Sequence, residues 1–320
     1  MHPVTLSERL TVSLRALGPD GARWRRELPE VLASLEADWS ITLGAALDGG
    51  NTAYVAEAAT LDGRQVIVKV AIPPGIEGFT AFEQELDALR IAHGDPYVEL
   101  IRDDVARRSL LLERLGRPLT SLGWSTSQQL DTVAATLARG WRRPAGTDRL
   151  PSGATKAAWL ARFIATTWES LDRPCQEATV ERAVSYAAER VRRFDPGTAV
   201  LVHGDAHAGN LLEAPGSLNG SHHFRLIDPE GLVSEAAHDL GVALRSWNDE
   251  LLGRNTAGLA IERCEQVAVS TGVDPEAIWQ WAFIERVSTG LFLLHLEHTR
   301  EGRAYLTVAD RLATVPGPQA

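Results

Sequence analysis

Residues 199–228 constrain this chain more than any other stretch. An apolar run, Ala199 to Val202, enters a polar loop that holds two glycines, His203 to Asn210. A short apolar strand at Leu211 and Leu212, a turn-rich tip, and a second strand from Phe224 to Ile227 lead to Asp228. Strand chemistry enclosed by helical sequence calls for a small hairpin set into a mainly helical body. If Leu211 pairs with Ile227 and Glu213 with Arg225, Asn210 falls opposite Asp228 at the open end of that hairpin, with Asp205 just ahead. Hard oxygen ligands converging on one point suit Mg²⁺, whose octahedron is commonly completed by substrate phosphates. Phosphoryl transfer needs that metal and a carboxylate that orients and deprotonates the attacking hydroxyl. Asp205 is expected as the base, and Asn210 and Asp228 as the metal ligands. A His-x-Asp-x-His run also suits a metal hydrolase, with His222 and His223 recruited as further ligands. The strand-loop-strand context favours phosphoryl transfer and makes His203 and His207 loop-shaping hydrogen bonders.

Upstream, residues from about Thr5 to Ala37 read as one helix with Leu28, Leu32 and Leu35 on one stripe. Three strands follow, Trp39 to Leu47, Ala53 to Thr60 and Arg64 to Ile72, the last two joined through Asp62-Gly63, a hairpin signal. Between the first two lies Leu47-Asp48-Gly49-Gly50-Asn51, either a connector or a phosphate-covering loop. Thr80 and Glu83 form a capping-box pattern at the start of a helix on which Phe82, Leu86 and Leu89 share a face. Glu85 borders that face, whereas Glu83 points away. Strands near Val98 to Arg102 and Ser109 to Leu112 run into a break rich in Gly and Pro, which sets the expected boundary between residues 1–114 and 115–320. Beyond it, helices are expected at about Ser127 to Gly140, Lys156 to Leu171, Thr179 to Arg193 and Pro275 to Glu301. The fold class is therefore α+β, a small antiparallel-sheet lobe with one key helix and a larger, mainly helical lobe.

Composition narrows the function. Of 320 residues, 44% are hydrophobic and 23% charged, the profile of an ordinary globular chain. Acids outnumber bases 42 to 32, a net charge of −10, which disfavours nucleic acid and is compatible with a cationic partner or simply with solubility. No signal-peptide layout or membrane-length apolar run is evident, so a cytoplasmic protein without a membrane partner, monomer or homodimer, is expected. Cys175 and Cys264 have no ligand spacing. Only Lys69 and Lys156 are lysine among 32 basic residues, so a lysine retained in a strand invites an explanation. Lys69, at the end of the third strand, could reach nucleotide phosphates while Glu85, or its neighbours Glu83 or Asp87, holds it.

These motifs together resemble the aminoglycoside phosphotransferases of the protein-kinase-like superfamily. His203-Gly204-Asp205-Ala206-His207-Ala208-Gly209-Asn210 is similar to their catalytic loop and Ile227-Asp228-Pro229 to their metal segment. Val66-Ile67-Val68-Lys69 and Gln84-Glu85-Leu86 resemble the lysine strand and glutamate helix, and Leu110-Leu111-Leu112-Glu113-Arg114 the strand into the hinge. Order and spacing agree from about residue 40 to 245. The proline after Asp228, within Ile-Asp-Pro-Glu-Gly-Leu, resembles the streptomycin 6-phosphotransferase and hydroxyurea-resistance subgroup. The glycine loop departs from the pattern, having no G-x-G-x-x-G.

The resemblance implies a two-lobed kinase-like fold and ATP- and Mg²⁺-dependent phosphorylation of a small cationic hydroxyl compound, most simply a streptomycin-type aminoglycoside. Phosphorylation of hydroxyurea, an amino sugar or a metabolite is the same-fold alternative, and a silent nucleotide-binding module the different-class one. Lys69 and Glu85 are implied to position phosphates, backbone near Glu113 to Leu115 to hold adenine, and Asp239 to buttress the catalytic loop. Asp249, Glu250, Glu285 and Glu297 are candidates for an acidic substrate groove, each alternatively a solvated helix acid.

Overall fold

The computed structural model describes residues 4–47, 50, 52–74, 82–142, 149–216 and 222–318. The chain divides into two compact units, Met1–Gly116 and Arg117–Ala320.

The first unit begins with α1 (Glu8–Ala16) and α2 (Gly18–Trp39), where the sequence suggested one helix. Ser7 caps α1 by accepting from the Leu10 amide. Gly18 then takes a left-handed conformation and Pro19 supplies no amide hydrogen, so the first helix stops and a second starts. A methyl group at Gly21 would overlap the Leu14 carbonyl, so glycine is what lets the two helices close on each other.

The strands are β1 (Ile41–Ala46), β2 (Ala53–Thr60), β3 (Gln65–Ala71), β4 (Leu100–Asp104) and β5 (Ser109–Glu113). They form one antiparallel sheet in the order β1-β2-β3-β5-β4. Trp39, expected at the head of a strand, instead ends α2, and left-handed Ser40 turns the chain into β1. The expected stripe Leu28, Leu32 and Leu35 packs with Trp39 against Tyr54, Val66, Val68, Val70 and Leu111. Each such leucine contributes about 2 kcal/mol by leaving water. The period of two then sends Lys69 to the opposite face from Val66, Val68 and Val70. There it meets α3 (Phe82–Ala92), whose buried residues include Phe82, Glu85, Leu86 and Leu89. Thr80 and most of the glycine loop, at 48, 49 and 51, lie outside the described residues, and Glu83 accepts from Arg108 at 2.7 Å.

The second unit holds α4 (Thr126–Gly140), α5 (Gly153–Ser170) and α6 (Glu177–Arg193), followed by β6 (Val200–Val202), β7 (Leu211–Glu213), β8 (Phe224–Leu226) and β9 (Leu232–Ser234). β6 pairs with β9 and β7 with β8, both antiparallel. Then come α7 (Ala237–Leu244), α8 (Asn248–Leu251), α9 (Thr256–Thr271), α10 (Pro275–His295) and α11 (Thr299–Leu312). α10 is the axis of this unit: it is buried on every side from Ala277 to Ser288 and packs on α5, α6, α7 and α11.

The sequence extended α10 to Glu301. The helix instead ends in a Schellman motif, in which the amides of Glu297 and His298 donate to the carbonyls of Leu294 and Leu293 at 3.0 and 2.8 Å. Glu297 occupies the left-handed position at φ 63°, where glycine is the usual residue. Without that glycine, the end of the helix had no sequence signal.

Candidate active site

β6 delivers the chain into the loop from His203 to Asn210, and α7 holds that loop. Asp239, with no exposed surface, accepts from the backbone amides of His203 at 3.1 Å and Gly204 at 2.9 Å, and from the Trp141 indole at 3.0 Å. Three donors satisfy a carboxylate that would otherwise be costly to bury. Gly204 takes φ +81°, which a side chain rarely adopts, and a methyl there would press on Leu232 and Glu230.

Both histidines shape the loop, as the sequence suggested. His203 is fully buried, its Nδ1 accepting from the Asp205 amide at 3.1 Å, so that Nε2 carries the hydrogen donated to the Ile227 carbonyl at 2.8 Å. His207 Nδ1 accepts from the Gly209 amide at 3.1 Å. Burial pushes the His207 pKa below its ordinary value, against the pull of Asp205 and Asp228. With both His203 nitrogens engaged by backbone, that ring has no lone pair for a metal. His222 faces Glu213 at 2.8 Å and lies against Trp124 and Phe224. Among the described residues no group of three or more His, Cys, Asp or Glu side chains is placed to hold a metal ion.

The hairpin register differs by one from the expected one. Leu211 pairs with Leu226, Leu212 with Arg225 and Glu213 with Phe224. Asn210 therefore stands opposite Ile227, whose amide donates to the Asn210 carbonyl at 2.9 Å. Asp228 comes one residue later at φ 58°, a left-handed turn that ends the ladder. The alternation of two short strands did not fix their offset; the interstrand hydrogen bonds do. Asn210 is buried, and its amide nitrogen donates to the Asp205 carbonyl at 3.0 Å and to Asp205 Oδ2 at 3.3 Å. This leaves Oδ1 as the side-chain oxygen available to a hard cation. Together with the carboxylate of Asp228, the donor chemistry fits Mg²⁺.

Around Asp205 lies a charged network that sequence reasoning missed. Arg245 donates through Nη2 to Asp205 Oδ1 and through Nη1 to Glu285 Oε2, the latter at 3.0 Å. His238 Nε2 donates to Glu285 Oε1 at 3.2 Å. Burial alone would raise the Glu285 pKa, but the His238 hydrogen bond and the charges of Lys156 and Arg245 outweigh it and hold the carboxyl at about 2. Lys156 donates to Glu230 Oε2 at 2.7 Å and lies over the Trp159 ring. Burial opposes its charge, yet Glu230 and Glu285 raise its pKa above the ordinary value. The scarcity of lysine was the available signal for Lys156. For Arg245 the signal was a cation directly after the apolar helix that carries Asp239.

In the first unit, Lys69 Nζ lies 2.6 Å from Glu85 Oε1, both side chains buried. Glu85 is thus the partner, not Glu83. Glu113 is buried at the end of β5, where its carboxylate accepts from the Glu99 amide at 2.7 Å and its own amide donates to the Glu99 carbonyl at 3.1 Å. Leu115 is buried just beyond, in irregular chain.

The four candidate groove acids do not form one acidic surface. Glu285 is 3% exposed and neutralised by Arg245, which corrects its expected place in an open groove. Glu297 caps α10, and Asp249 is exposed in the first turn of α8. Glu250 accepts from Thr126 at 2.6 Å and pairs with Arg263. It lines a pocket of about 600 Å³ between α4 and α9, together with Trp124, Trp247, Gln129, Glu262 and Arg263.

The chain is similar to known proteins. The family model for aminoglycoside/hydroxyurea antibiotic resistance kinases matches residues 38–294. A hydroxyurea phosphotransferase of Kitasatospora aureofaciens is 29% identical, over 74% of this chain and 67% of that protein. Among solved structures, a choline kinase of Cryptosporidium parvum superposes with a TM-score of 0.59 at 13% identity, covering 89% of this chain and 96% of the other. An aminoglycoside phosphotransferase of Streptomyces rimosus, solved with ADP and streptomycin, has a TM-score of 0.51 at 16% identity, covering 82% and 98%. These likenesses give the fold, which is protein-kinase-like. Because the family model spans the strand of Lys69, the helix of Glu85, the loop of Asp205 and most of α10, the chain belongs to the aminoglycoside/hydroxyurea antibiotic resistance kinases, and is a small-molecule phosphotransferase.

Proposed function

We propose that the protein transfers the γ-phosphoryl group of ATP to a hydroxyl of a small cationic acceptor, a streptomycin-type aminoglycoside. The observation that carries this reading is the loop from His203 to Asn210, braced through Asp239 so that Asp205 and Asn210 are held beside each other. Asp205 takes the proton of the acceptor hydroxyl as its oxygen attacks the γ-phosphorus; the bond from phosphorus to the β,γ-bridging oxygen breaks and ADP departs. Asn210 and Asp228 would hold Mg²⁺, which neutralises phosphate charge when bound. Lys69, kept in place by Glu85, is the phosphate-binding cation of the first unit, and backbone near Glu113 to Leu115 takes the adenine. Within that stretch the Glu113 amide already donates to the Glu99 carbonyl.

The acceptor site in this reading is the pocket of Trp124, Trp247, Glu250 and Glu262. Two tryptophans and two carboxylates against one arginine favour a cation. Trp247 stands two residues beyond Arg245, which touches Asp205. Hydroxyurea is the second reading, favoured by the Kitasatospora relative, whose name gives hydroxyurea as its substrate. A screen of ADP release with Mg-ATP over streptomycin, other aminoglycosides, hydroxyurea and amino sugars separates them. Streptomycin-dependent release abolished by Asp205→Ala is the expected result; release with hydroxyurea alone supports the second reading, and no acceptor-dependent release sinks both.

A further inference from the structure

The Asp205 carboxylate is gripped from one side. Arg245 takes Oδ1, while Oδ2 has looser neighbours, the Asn210 amide at 3.3 Å and His207 Nε2 at 3.8 Å. Arg245 follows immediately on α7, six residues after Asp239, so one buried helix holds the loop twice. Asp239 takes its backbone amides near one end, and Arg245 takes the side chain of Asp205 about 9 Å further along. A cation also suits the carboxyl end of a helix.

The guanidinium fork is engaged on both tines. Nη1 reaches Glu285 on the central helix α10, and Glu285 is oriented in turn by His238 of α7. The result is a chain, His238 to Glu285 to Arg245 to Asp205, running from the core of the second unit to the loop. A lone carboxylate at a loop apex would sample several rotamers. Clamped by one oxygen, it presents the other in a single direction, and such orientation is worth orders of magnitude in rate.

Resting on the phosphotransfer reading above, we infer that Arg245 is a positioning residue for the reaction. It fixes Asp205 through Oδ1 so that Oδ2 faces the acceptor hydroxyl, and Glu285 holds Arg245 in place. Arg245 binds neither substrate in this role, so its loss lowers kcat and leaves both KM values alone. Lysine cannot replace it, because one ammonium lacks the planar fork that serves two carboxylates at fixed angles.

The test is steady-state kinetics of the full chain by ADP release, using the acceptor with the highest turnover. Arg245→Ala is expected to lower kcat about 100-fold with both KM values within about threefold. Guanidinium ion at millimolar concentration should recover part of that loss in Arg245→Ala and none in Asp205→Ala. Arg245→Lys, which keeps a cation between the two carboxylates, and Glu285→Gln, which keeps Arg245 paired with Asp205, carry the test if Arg245→Ala does not fold; each should lower kcat by about tenfold with a native circular dichroism spectrum. A folded Arg245→Ala with wild-type kcat overturns the inference. So does a loss expressed in the acceptor KM with kcat unchanged, which would make Arg245 a substrate contact. Wild-type protein without acceptor-dependent turnover overturns the phosphotransfer reading as well, so the two failures are told apart.

Discussion

The two units bury charge in different ways. In the first, Lys69 on β3 meets Glu85 on α3, a strand and a helix adjacent in sequence and joined at 2.6 Å. In the second, Asp205 is reached through Arg245, Glu285 and His238, with Lys156 and Glu230 alongside, and the participants come from a loop, α5, α7 and α10. Under the function proposed above, the contrast separates two tasks. A cation proposed to bind phosphates needs a counter-charge that fixes its position. A carboxylate proposed to take a proton needs its direction set from several sides, and a network supplies directions that one pair does not.

That contrast can be broken by mutation. The largest effect is expected in the first unit: Lys69→Met should lower kcat/KM for ATP by about 100-fold, and Glu85→Gln by roughly tenfold, since the lysine remains but loses its anchor. Nucleotide titration followed by ADP release measures both, and equal effects would mean that Glu85 does more than hold Lys69. In the second unit, Glu285→Gln should cost about 3 kcal/mol at neutral pH, because it leaves Arg245 with one carboxylate fewer in a buried site. The sign with pH follows from the lowered carboxyl. Stability held in Glu285 is complete above its unfolded value of 4.5 and is lost as the pH falls toward about 2. Denaturant titrations from pH 6 to pH 2 should therefore show a shallower acid loss in the variant; parallel curves would remove Glu285 from the charged network. The smallest effect lies away from both regions. Glu297→Gly should stabilise by about 1 kcal/mol by relieving a left-handed non-glycine residue, with no change in acceptor KM. A raised KM would return Glu297 to the substrate site.

Much of this was legible beforehand because the relevant signals are local. Asp62-Gly63 marked the β2–β3 hairpin, the scarcity of lysine drew attention to Lys69 on the third strand, and helical spacing placed Glu85 near the buried face of α3. The errors occurred where no local rule applied. Short strands of three residues left the offset of β7 and β8 open, and Asn210 moved from Asp228 to Ile227. A Schellman end built on glutamate carried no glycine to announce it. Glu285, read as a groove acid, proved to be the anchor of Arg245, because an isolated acid on an apolar stripe looks the same whether it faces solvent or a buried guanidinium.

The chain's one-dimensional pattern therefore singled out Asp205, Asn210, Asp228, Lys69 and Glu85 as candidates, through local spacing and through the family its motifs resemble. Which charges compensate which was settled by packing. Arg245 and Glu285 are forty positions apart, and Lys156 and Glu230 are seventy-four. No period of two or 3.6 reaches that far. Such pairs exist because packing α5 and α7 against α10 removes water from the polar side chains around them, and each then has to find its counter-charge within the fold.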